Sequence, residues 1–217
     1  MQKTCIILGA GGHTRVLIDC LQLSGDVDIF GILDPNPDLA GKAIFEIPIL
    51  GNDELLAGLK KKGVNYFVVG VGGVGNNTPR IKLYDLALSH GLKPLTVIHP
   101  SAIISSRATI GEGSQFLPGC IVNAGAKIGI NCILNSGSIV EHDCNISNHV
   151  HIATGAKLAS TVHVGAGAHI GAGATVRQGI KIGEYSIIGA GATVVKDVQP
   201  HTTVVGVPAS LIGQAKN

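Results

Sequence analysis

A period of six residues dominates the second half of this sequence. From Ile98 to Val194, every sixth residue is large and apolar, which makes 17 consecutive positions. Four residues after each of them the side chain is mostly small, as at Ala126 and Ser138. One large and one small inward position in every six residues predicts a short strand followed by a turn. Three such units would close a triangular coil, so the pattern predicts a parallel β-helix of about five to six coils over residues 98–217, including a C-terminal tail.

The first part of the chain lacks this period. Short apolar runs alternate there with stretches in which apolar residues have helical spacing. This alternation predicts a small Rossmann-like α/β domain with a parallel sheet over residues 1–97, and His99-Pro100 marks the transition to the repeat. The predicted strands are Cys5–Leu8, Val27–Leu33, Tyr66–Val71 and Leu95–Ile98, and the predicted helices run through Val16–Leu21, 53–61 and 78–90.

Composition excludes several classes of function. The net charge of +2 argues against an extended nucleic-acid surface. No apolar run reaches membrane-spanning length and the first residues lack the pattern of a signal peptide, so we expect a cytoplasmic protein without membrane insertion. The five cysteines contain no CxxC pair, which indicates neither a disulfide framework nor a zinc site. Cys120, Cys132 and Cys144 share the small inward position of the repeat, so we expect them to pack in the core.

A glycine-rich segment, Gly9-Ala10-Gly11-Gly12-His13, follows the first predicted strand and opens a helix. Backbone N–H groups at such a helix start can bind phosphate, which favours a nucleotide or a nucleotide-linked sugar as the ligand. Asp34, at the end of the second strand, could accept a hydrogen bond from a ribose or a base. Thr14 occupies the third glycine position of the dinucleotide fingerprint, which disfavours NAD(P) and an oxidoreductase. The alternative interpretation is a tight turn between strand and helix.

His142 lies in a predicted turn of the repeat, within Val140-Glu141-His142-Asp143-Cys144. Side chains in these turns leave the core, and a neutral imidazole is a suitable base for an amine or a hydroxyl that attacks a thioester. Asp143 and Glu141 are both candidates to orient the ring or to pair with its charge. A solvated turn histidine is the alternative interpretation.

Two further histidines, His151 and His169, are separated by three repeats. We therefore expect them on adjacent coils, at outward positions of the strands. His163 has the same phase on another face. A zinc site would need a third ligand, which the sequence does not indicate, so no metal is predicted.

In combination, these motifs resemble the sialic-acid O-acetyltransferase and bacillosamine- and perosamine-type nucleotide-sugar N-acetyltransferase family of hexapeptide-repeat acyltransferases, over nearly the whole chain. The markers are the Gly9–His13 segment with Asp34, the Glu141-His142-Asp143 motif, His151, and Gly206-Val207-Pro208-Ala209. The resemblance implies a left-handed β-helix, a homotrimer, and acetyl-CoA bound along the groove between adjacent helices.

The resemblance also implies roles for individual residues. His142 matches the catalytic histidine and Asp143 matches its acidic partner. The implied contacts of the sugar nucleotide are Gly9, Gly11, Gly12, His13 and Asp34. The implied contacts of acetyl-CoA are His151, Ser160, Gly179, Val207 and Pro208, with the backbone N–H of Ser160 facing the acetyl carbonyl.

The expected reaction is a direct transfer in a ternary complex. The amino group of a nucleotide-linked amino sugar attacks the thioester of acetyl-CoA, His142 accepts the proton, and Asp143 stabilises the imidazolium. Backbone donors near Ser160 stabilise the oxyanion. Two alternatives remain: an O-acetyltransferase of sialic acid or a related sugar, and a non-catalytic trimeric protein that binds a nucleotide sugar.

Overall fold

The computed structural model describes residues 3–215, and its internal contacts divide the chain into two compact units. The first unit consists of the residues up to Gly72 together with Pro79–Pro100. The second consists of Gly73–Thr78 and the residues from Ser101 onward. The predicted division at residue 97 did not anticipate that the short segment Gly73–Thr78 packs with the second unit.

The first unit is built on a six-stranded sheet. Its strands are β1 (Lys3–Leu8), β2 (Val27–Leu33), β3 (Ala43–Ile44), β4 (Ile47–Gly51), β5 (Tyr66–Val69) and β6 (Lys93–Pro94). Their order is β3-β4-β2-β1-β5-β6, with every pairing parallel except the β3–β4 hairpin. The helices of this part of the chain are α1 (Gly12–Ser24), α2 (Leu56–Leu59) and α3 (Thr78–Ser89), with 3₁₀ turns at Pro37–Leu39, Asp53–Leu55 and Lys60–Lys62.

The predicted α/β class is confirmed, with three local differences. In place of the strand predicted over Leu95–Ile98 there are two short strands, β6 (Lys93–Pro94) and β7 (Val97–Ile98). The β3–β4 hairpin was not predicted, because its turn at Phe45 and Glu46 has positive φ without the glycine or asparagine that usually marks such turns. The helix predicted over 53–61 is broken into α2 and two 3₁₀ turns. Gly58, in the middle of that segment, lowers its helix propensity.

The second unit is a left-handed parallel β-helix, and it confirms the period of six. Each of the 17 predicted large apolar positions is the second residue of a two-residue strand. The first of these strands, β7 (Val97–Ile98), belongs to the first unit. The strands from β8 to β24 form three faces, because each pairs in parallel with the strand one coil away, and β25 extends one face by an antiparallel pairing.

Face 1 contains β10 (Gln115–Phe116), β13 (Ile133–Leu134), β16 (His151–Ile152), β19 (His169–Ile170), β22 (Ile187–Ile188), β24 (Thr202–Val205) and β25 (Ser210–Gln214), the last pairing antiparallel. Face 2 contains β8 (Ile103–Ile104), β11 (Ile121–Val122), β14 (Ile139–Val140), β17 (Lys157–Leu158), β20 (Thr175–Val176) and β23 (Thr193–Val194). Face 3 contains β9 (Thr109–Ile110), β12 (Lys127–Ile128), β15 (Asn145–Ile146), β18 (His163–Val164) and β21 (Lys181–Ile182).

The core of the β-helix is filled by the second residue of each strand from β10 to β23 and by small residues from the turns. In the first coil Ile104 is partly buried and Ile110 is 37% exposed. Cys120, Cys132 and Cys144 are buried there and are not joined in disulfides, which confirms the predicted packing role. The first residue of each strand points outward, and this is the position of His151 and His169 on face 1. Within residues 3–215, no helix combines the length and the apolar character needed to cross a membrane.

Candidate active site

His142 lies on one longitudinal edge of the β-helix. We call this the His142 edge; it consists of the turns that connect face 2 to face 3, residues 123–126, 141–144, 159–162 and 177–180. The side chains of His142 and Asp143 are 56% and 63% exposed, and His142 Nδ1 lies 2.9 Å from Asp143 Oδ2. Because an ionised carboxylate only accepts hydrogen bonds, Nδ1 carries the proton of the neutral ring and Nε2 presents its lone pair to solvent.

The backbone of this turn aims the carboxylate of Asp143. Asp143 has a φ of 58°, in the left-handed region, which aspartate tolerates better than most residues. One coil earlier, the equivalent position is Gly125, and a β-carbon there would collide with Asp143 Oδ1. Glycine at position 125 therefore leaves the space from which the carboxylate reaches the ring.

Glu141, the other acidic candidate, has different partners. Its Oε2 accepts a hydrogen bond from Asn123 Nδ2 at 2.9 Å and a longer one from the backbone N–H of His142 at 3.4 Å. Glu141 thus ties the turn to the preceding coil, while Asp143 holds the imidazole.

The next two coils continue the same edge through Ser160 and Gly179. The N–H of Thr161 donates to the His142 carbonyl at 3.1 Å, and the N–H of Gly179 donates to the Ser160 carbonyl at 3.0 Å. The N–H of Ser160 makes no hydrogen bond to any residue that the structure describes, so it is available to an incoming carbonyl oxygen.

A second pair of side chains, His151 and His169, lies on face 1. Their ring centroids are 4.9 Å apart in an edge-to-face arrangement, and the two residues are only 4% and 6% exposed. His151 Nδ1 is 3.0 Å from the carbonyl oxygen of Gly73, and Nε2 is 3.3 Å from Asn135 Nδ2. Burial lowers the pKa of His169, and the nearby Gly73 carbonyl opposes that shift in part, so this imidazole is neutral at neutral pH.

A cleft of about 400 Å³ lies beside these two rings, and we call it the His151 cleft. Val74 and Gly75 line it from the Gly73–Thr78 segment. Small residues stack along the edge between faces 1 and 2 and line its other side: Ala153, Gly171, Ala172, Gly189 and Ala190. A cleft with such small side chains leaves room for a thin, extended ligand.

A single chain does not bring His142 and His151 together. The His142 edge joins faces 2 and 3, whereas His151 projects from face 1, on the opposite side of the triangular coil. The buried apolar core lies between them. The His142 edge and the His151 cleft therefore border face 2 from its two sides.

The predicted phosphate-binding segment occupies the carboxyl edge of the sheet in the first unit. Gly9 has a φ of 102°, and α1 begins at Gly12 after Gly11. Apart from the adjacent residues and the backbone of α1 itself, no atom of residues 3–215 lies within 4 Å of where a β-carbon on Gly11 or Gly12 would be, so the backbone there is open. The buried hydroxyl of Thr14 donates to the Gly9 carbonyl at 2.6 Å. The residue that departs from the dinucleotide fingerprint therefore fastens this loop.

Asp34 shapes the same loop. Its Oδ2 accepts a hydrogen bond from the N–H of Ala10 at 2.7 Å, and its Oδ1 accepts one from the N–H of Asn36 at 2.9 Å. Each carboxylate oxygen keeps a second lone pair that a ligand could use. Burial, followed by the charge of Asp34, raises the pKa of Asp53, which adds a second carboxyl group near this edge.

Comparison with known proteins identifies the relatives of this chain. The PglD N-terminal domain family matches residues 4–87, and the bacterial transferase hexapeptide family (six repeats) matches residues 161–196. A variant of perosamine N-acetyltransferase from Caulobacter crescentus, solved with CoA and GDP-perosamine, is 35% identical, has a TM-score of 0.91, and is matched over 97% of both chains. The chain belongs to the bacillosamine- and perosamine-type N-acetyltransferase family.

Other members of this N-acetyltransferase family are also similar to the chain. The acetyltransferase domain of PglB from Neisseria gonorrhoeae, solved with acetyl coenzyme A, is 32% identical with a TM-score of 0.88, over 98% of this chain and 100% of that one. UDP-N-acetylbacillosamine N-acetyltransferase from Bacillus subtilis is 37% identical over 53% of this chain and 51% of the relative. GDP-perosamine N-acetyltransferase from Escherichia coli O157:H7 is 33% identical over 57% and 55%. The chain spans about half the length of these two curated relatives.

Two residues that the family resemblance implied, Val207 and Pro208, lie in the exposed connection between β24 and β25 and are joined by a cis peptide bond. His13 is half-buried in the first turn of α1. Across residues 3–215, no group of three or more His, Cys, Asp or Glu is arranged to hold a metal ion.

Sequence reasoning missed Asn135 and the Gly73–Thr78 segment, both of which surround His151. The available signal was a cluster of glycines, Gly70, Gly72, Gly73 and Gly75, followed by Asn76-Asn77. Such glycines allow the backbone to approach another surface closely. Nothing in the pattern indicated that this surface is the β-helix.

Proposed function

We propose that this protein is an acetyl-CoA-dependent N-acetyltransferase that acts on the amino group of a nucleotide-linked amino sugar. The observation that carries the proposal is the exposed His142–Asp143 pair, whose Nε2 is open while Nδ1 is held at 2.9 Å from the carboxylate. The Caulobacter relative was solved with CoA and GDP-perosamine, which supports the same two classes of ligand here.

The side chains suit direct transfer. The amine nitrogen forms a bond to the thioester carbonyl carbon, and His142 Nε2 accepts the proton that the amine releases. Asp143 stabilises the resulting imidazolium, and the N–H of Ser160 donates to the oxyanion. Collapse of the tetrahedral intermediate breaks the carbon–sulfur bond, and the imidazolium returns its proton to the sulfur. The products are the N-acetylated sugar and CoA.

The proposed assembly is a homotrimer with face 2 turned towards the threefold axis. The outward residues of β8, β11 and β14 are Ile103, Ile121 and Ile139, which stack in register along this face. Ile103 is 63% exposed, and the other two are half-buried. A continuous row of isoleucines that remain partly or fully exposed in one chain is typical of an interaction surface.

This arrangement also completes the site. The His142 edge and the His151 cleft border face 2 from its two sides, so closing three copies around face 2 places the His142 edge of each copy against the cleft of the next. His142, Asp143 and Ser160 of one copy would then act together with the next copy's His151. The narrow cleft would receive the extended arm of acetyl-CoA, with Gly179, Val207 and Pro208 as further contacts.

The nucleotide part of the substrate is assigned to the first unit. The open backbone at Gly11 and Gly12 offers N–H groups to phosphate at the start of α1, and Gly9, His13 and Asp34 complete this set. A cytoplasmic location, expected from the sequence, remains part of the proposal.

The decisive assay measures acetyl transfer from acetyl-CoA to GDP- and UDP-linked 4-amino sugars, with the corresponding 4-hydroxy sugars as the matched comparison. We expect turnover of the amino sugars only. Preferential acetylation of the hydroxyl analogues would indicate O-acetylation instead. Absence of any stabilisation by acetyl-CoA or CoA in thermal unfolding would favour a non-catalytic binding protein.

Subunit complementation tests the shared site. Chains carrying His142→Ala are refolded together with chains carrying His151→Ala. If each site takes these residues from different copies, about one quarter of the sites in randomly mixed trimers contain both histidines, and activity returns. Failure of mixed trimers to recover activity, or a fully active monomer by light scattering, would contradict the shared site.

A further inference from the structure

The Gly73–Thr78 segment is fastened to the β-helix by one buried side chain. We call this segment the strap. Asn77 is 3% exposed, and its Nδ2 donates to the carbonyl oxygens of Gly167 at 3.0 Å and Ala168 at 3.4 Å. Gly167 and Ala168 directly precede β19, the strand that begins with His169. Asn77 therefore places the strap at a fixed height on face 1.

The two ends of the strap are in close contact with one another. A β-carbon on residue 73 would collide with Asn77 Oδ1, so Gly73 and the Asn77 amide occupy adjoining space. Asn77 Oδ1 accepts no hydrogen bond from any residue described in the structure, so it acts here through contact and not as an acceptor. The position of the Gly73 carbonyl is thus coupled to the side chain of Asn77.

This carbonyl is the partner of His151. A backbone carbonyl can only accept, so His151 Nδ1 carries the proton in the 3.0 Å hydrogen bond to Gly73. On the other side of the ring, Asn135 Oδ1 accepts from the N–H of Ser136 at 2.8 Å, which turns Asn135 Nδ2 towards His151 Nε2 at 3.3 Å. The amide therefore donates and Nε2 accepts. All three hydrogen bonds run in one direction and are consistent only with the neutral Nδ1–H tautomer.

We propose that Asn77 is a positioning residue that fixes His151 as a hydrogen-bond acceptor at Nε2, by holding the Gly73 carbonyl against Nδ1–H. The consequence is a preference in the His151 cleft for an N–H donor over a carbonyl oxygen. Two sources of such a donor enter the proposed reaction, the amine of the sugar and the amide groups of the acetyl-CoA arm. The long 3.3 Å contact from Asn135 is the one that such a donor would replace. The role of this preference in catalysis rests on the proposed N-acetyltransferase function. The tautomer of His151 is inferred from the hydrogen bonds alone and does not depend on that function.

The first test reads the tautomer directly. Nitrogen-15 NMR of histidine-labelled protein, assigned with a His151→Gln variant, should show the Nδ1–H form in the wild type without any substrate. Asn77→Ala should convert His151 to a mixture of tautomers, and Asn77→Asp should do so more completely, because a carboxylate is repelled by the carbonyls of Gly167 and Ala168. The control is Asn76→Ala, since Asn76 is exposed and accepts only a local bond from the N–H of Thr78 at 2.8 Å.

The second test uses the contact between the ends of the strap. Gly73→Ala should disturb His151 in the wild-type background, because the new methyl group meets Asn77 Oδ1. In the Asn77→Ala background that collision is gone, so Gly73→Ala should add little. If Asn77→Ala does not fold, Gly73→Ala alone still probes the same link through the His151 signal.

Steady-state kinetics of an Asn77 variant test whether the strap affects the reaction. We expect Asn77→Ala to raise KM about tenfold for the ligand that supplies the N–H donor, and to change kcat less. An unchanged His151 tautomer in Asn77→Ala, or additive effects of the Gly73 and Asn77 substitutions, would overturn the proposal. An altered tautomer in a protein without acetyltransferase activity would uphold the positioning role and count against the proposed function alone.

Discussion

The β-helix carries two histidine-containing pairs on the same repeating backbone, His142 with Asp143 and His151 with His169, but the surroundings of the two pairs differ. The ring of His142 is more than half exposed and has one bound nitrogen, next to Asp143. The ring of His151 is buried, and both of its nitrogens are hydrogen-bonded. An imidazole that exchanges protons needs a free nitrogen and access to its substrate, whereas an imidazole that orients a ligand benefits from being locked.

The position within the repeat explains this difference. His142 is in a turn, where side chains leave the core and the left-handed residue Asp143 can fold back onto the ring. His151 opens a strand of face 1, where the strap and Asn135 lie on either side of it. One coil geometry thus supplies an exposed position at its edge and a buried, hydrogen-bonded position on its face.

Substitution of the exposed residue His142 should cause the largest loss of activity. We expect His142→Ala to lower kcat by roughly 10²–10⁴-fold with little change in acetyl-CoA affinity, because it removes the base and leaves the cofactor contacts. His142→Asn should behave similarly, since an amide cannot accept the proton. Steady-state kinetics at saturating amino sugar and acetyl-CoA provide the measurement. A His142→Ala enzyme that keeps most of its activity would make His142 a positioning residue like His151 and remove the contrast between the pairs.

A smaller loss of activity is expected when only the carboxylate of Asp143 is displaced. Gly125→Ala adds a methyl group where Asp143 Oδ1 lies, so we expect kcat to fall about tenfold, less than for His142→Ala. The substitution also strains the backbone, because Gly125 has a φ of 75°. Gly119→Ala is the matched control, since Gly119 has a φ of 68° and, its chain neighbours aside, no atom of the described residues lies within 4 Å of the point that its new β-carbon would occupy. Equal losses of kcat in the two variants would mean that backbone strain, and not the position of Asp143, is responsible.

The sequence was sufficient for the architecture and for part of the site. The period of six predicts the two-residue strands from β8 to β23 because its cause is local: one inward side chain per strand. The longer strands β24 and β25 follow the last repeat and were not predicted. The same rule puts His142 in a turn and His151 beside His169. The residues of the motif left Asp143 and Glu141 both open, and the family resemblance implied Asp143. The physical reason is the left-handed backbone at residue 143 and the space at Gly125, which the pattern does not reveal. The partner of His151 is Gly73, 78 residues away, and no periodicity links them.

The buried imidazole of His169 should make the free energy of unfolding depend on pH. Burial holds the pKa of His169 below its ordinary value of 6.5, so below that pH the unfolded chain binds a proton more readily than the folded one. The contribution of this neutral ring is complete above pH 6.5 and is lost as the pH falls through the lowered pKa. The slope for one proton is at most about 1.4 kcal/mol per pH unit. Chemical denaturation of wild type and His169→Gln should be measured from pH 7.5 to 5. The free energy of unfolding should change less steeply with pH in the variant than in the wild type. His163→Gln, at an exposed position of face 3, is the control and should retain the wild-type slope.

The smallest effect is expected at Cys144, which directly follows Asp143 in the chain but points inward. Its thiol donates to the Ala159 carbonyl at 3.1 Å, and burial is the main cause that raises its pKa. Burial likewise raises the pKa of Cys5 to about 12 and that of Cys20 to about 11. A thiol with a raised pKa is a poor nucleophile near neutral pH, because the thiolate is the reactive form. We therefore expect Cys144→Ala to stay within a few-fold of wild-type turnover, with a loss of about 1 kcal/mol in the free energy of unfolding. Iodoacetamide at pH 7 should leave the native enzyme active. Rapid inactivation that depends on Cys144 would show that this thiol is accessible beside His142. The proposed division between the outward pair of His142 and Asp143 and the inward packing residue Cys144 would then be wrong.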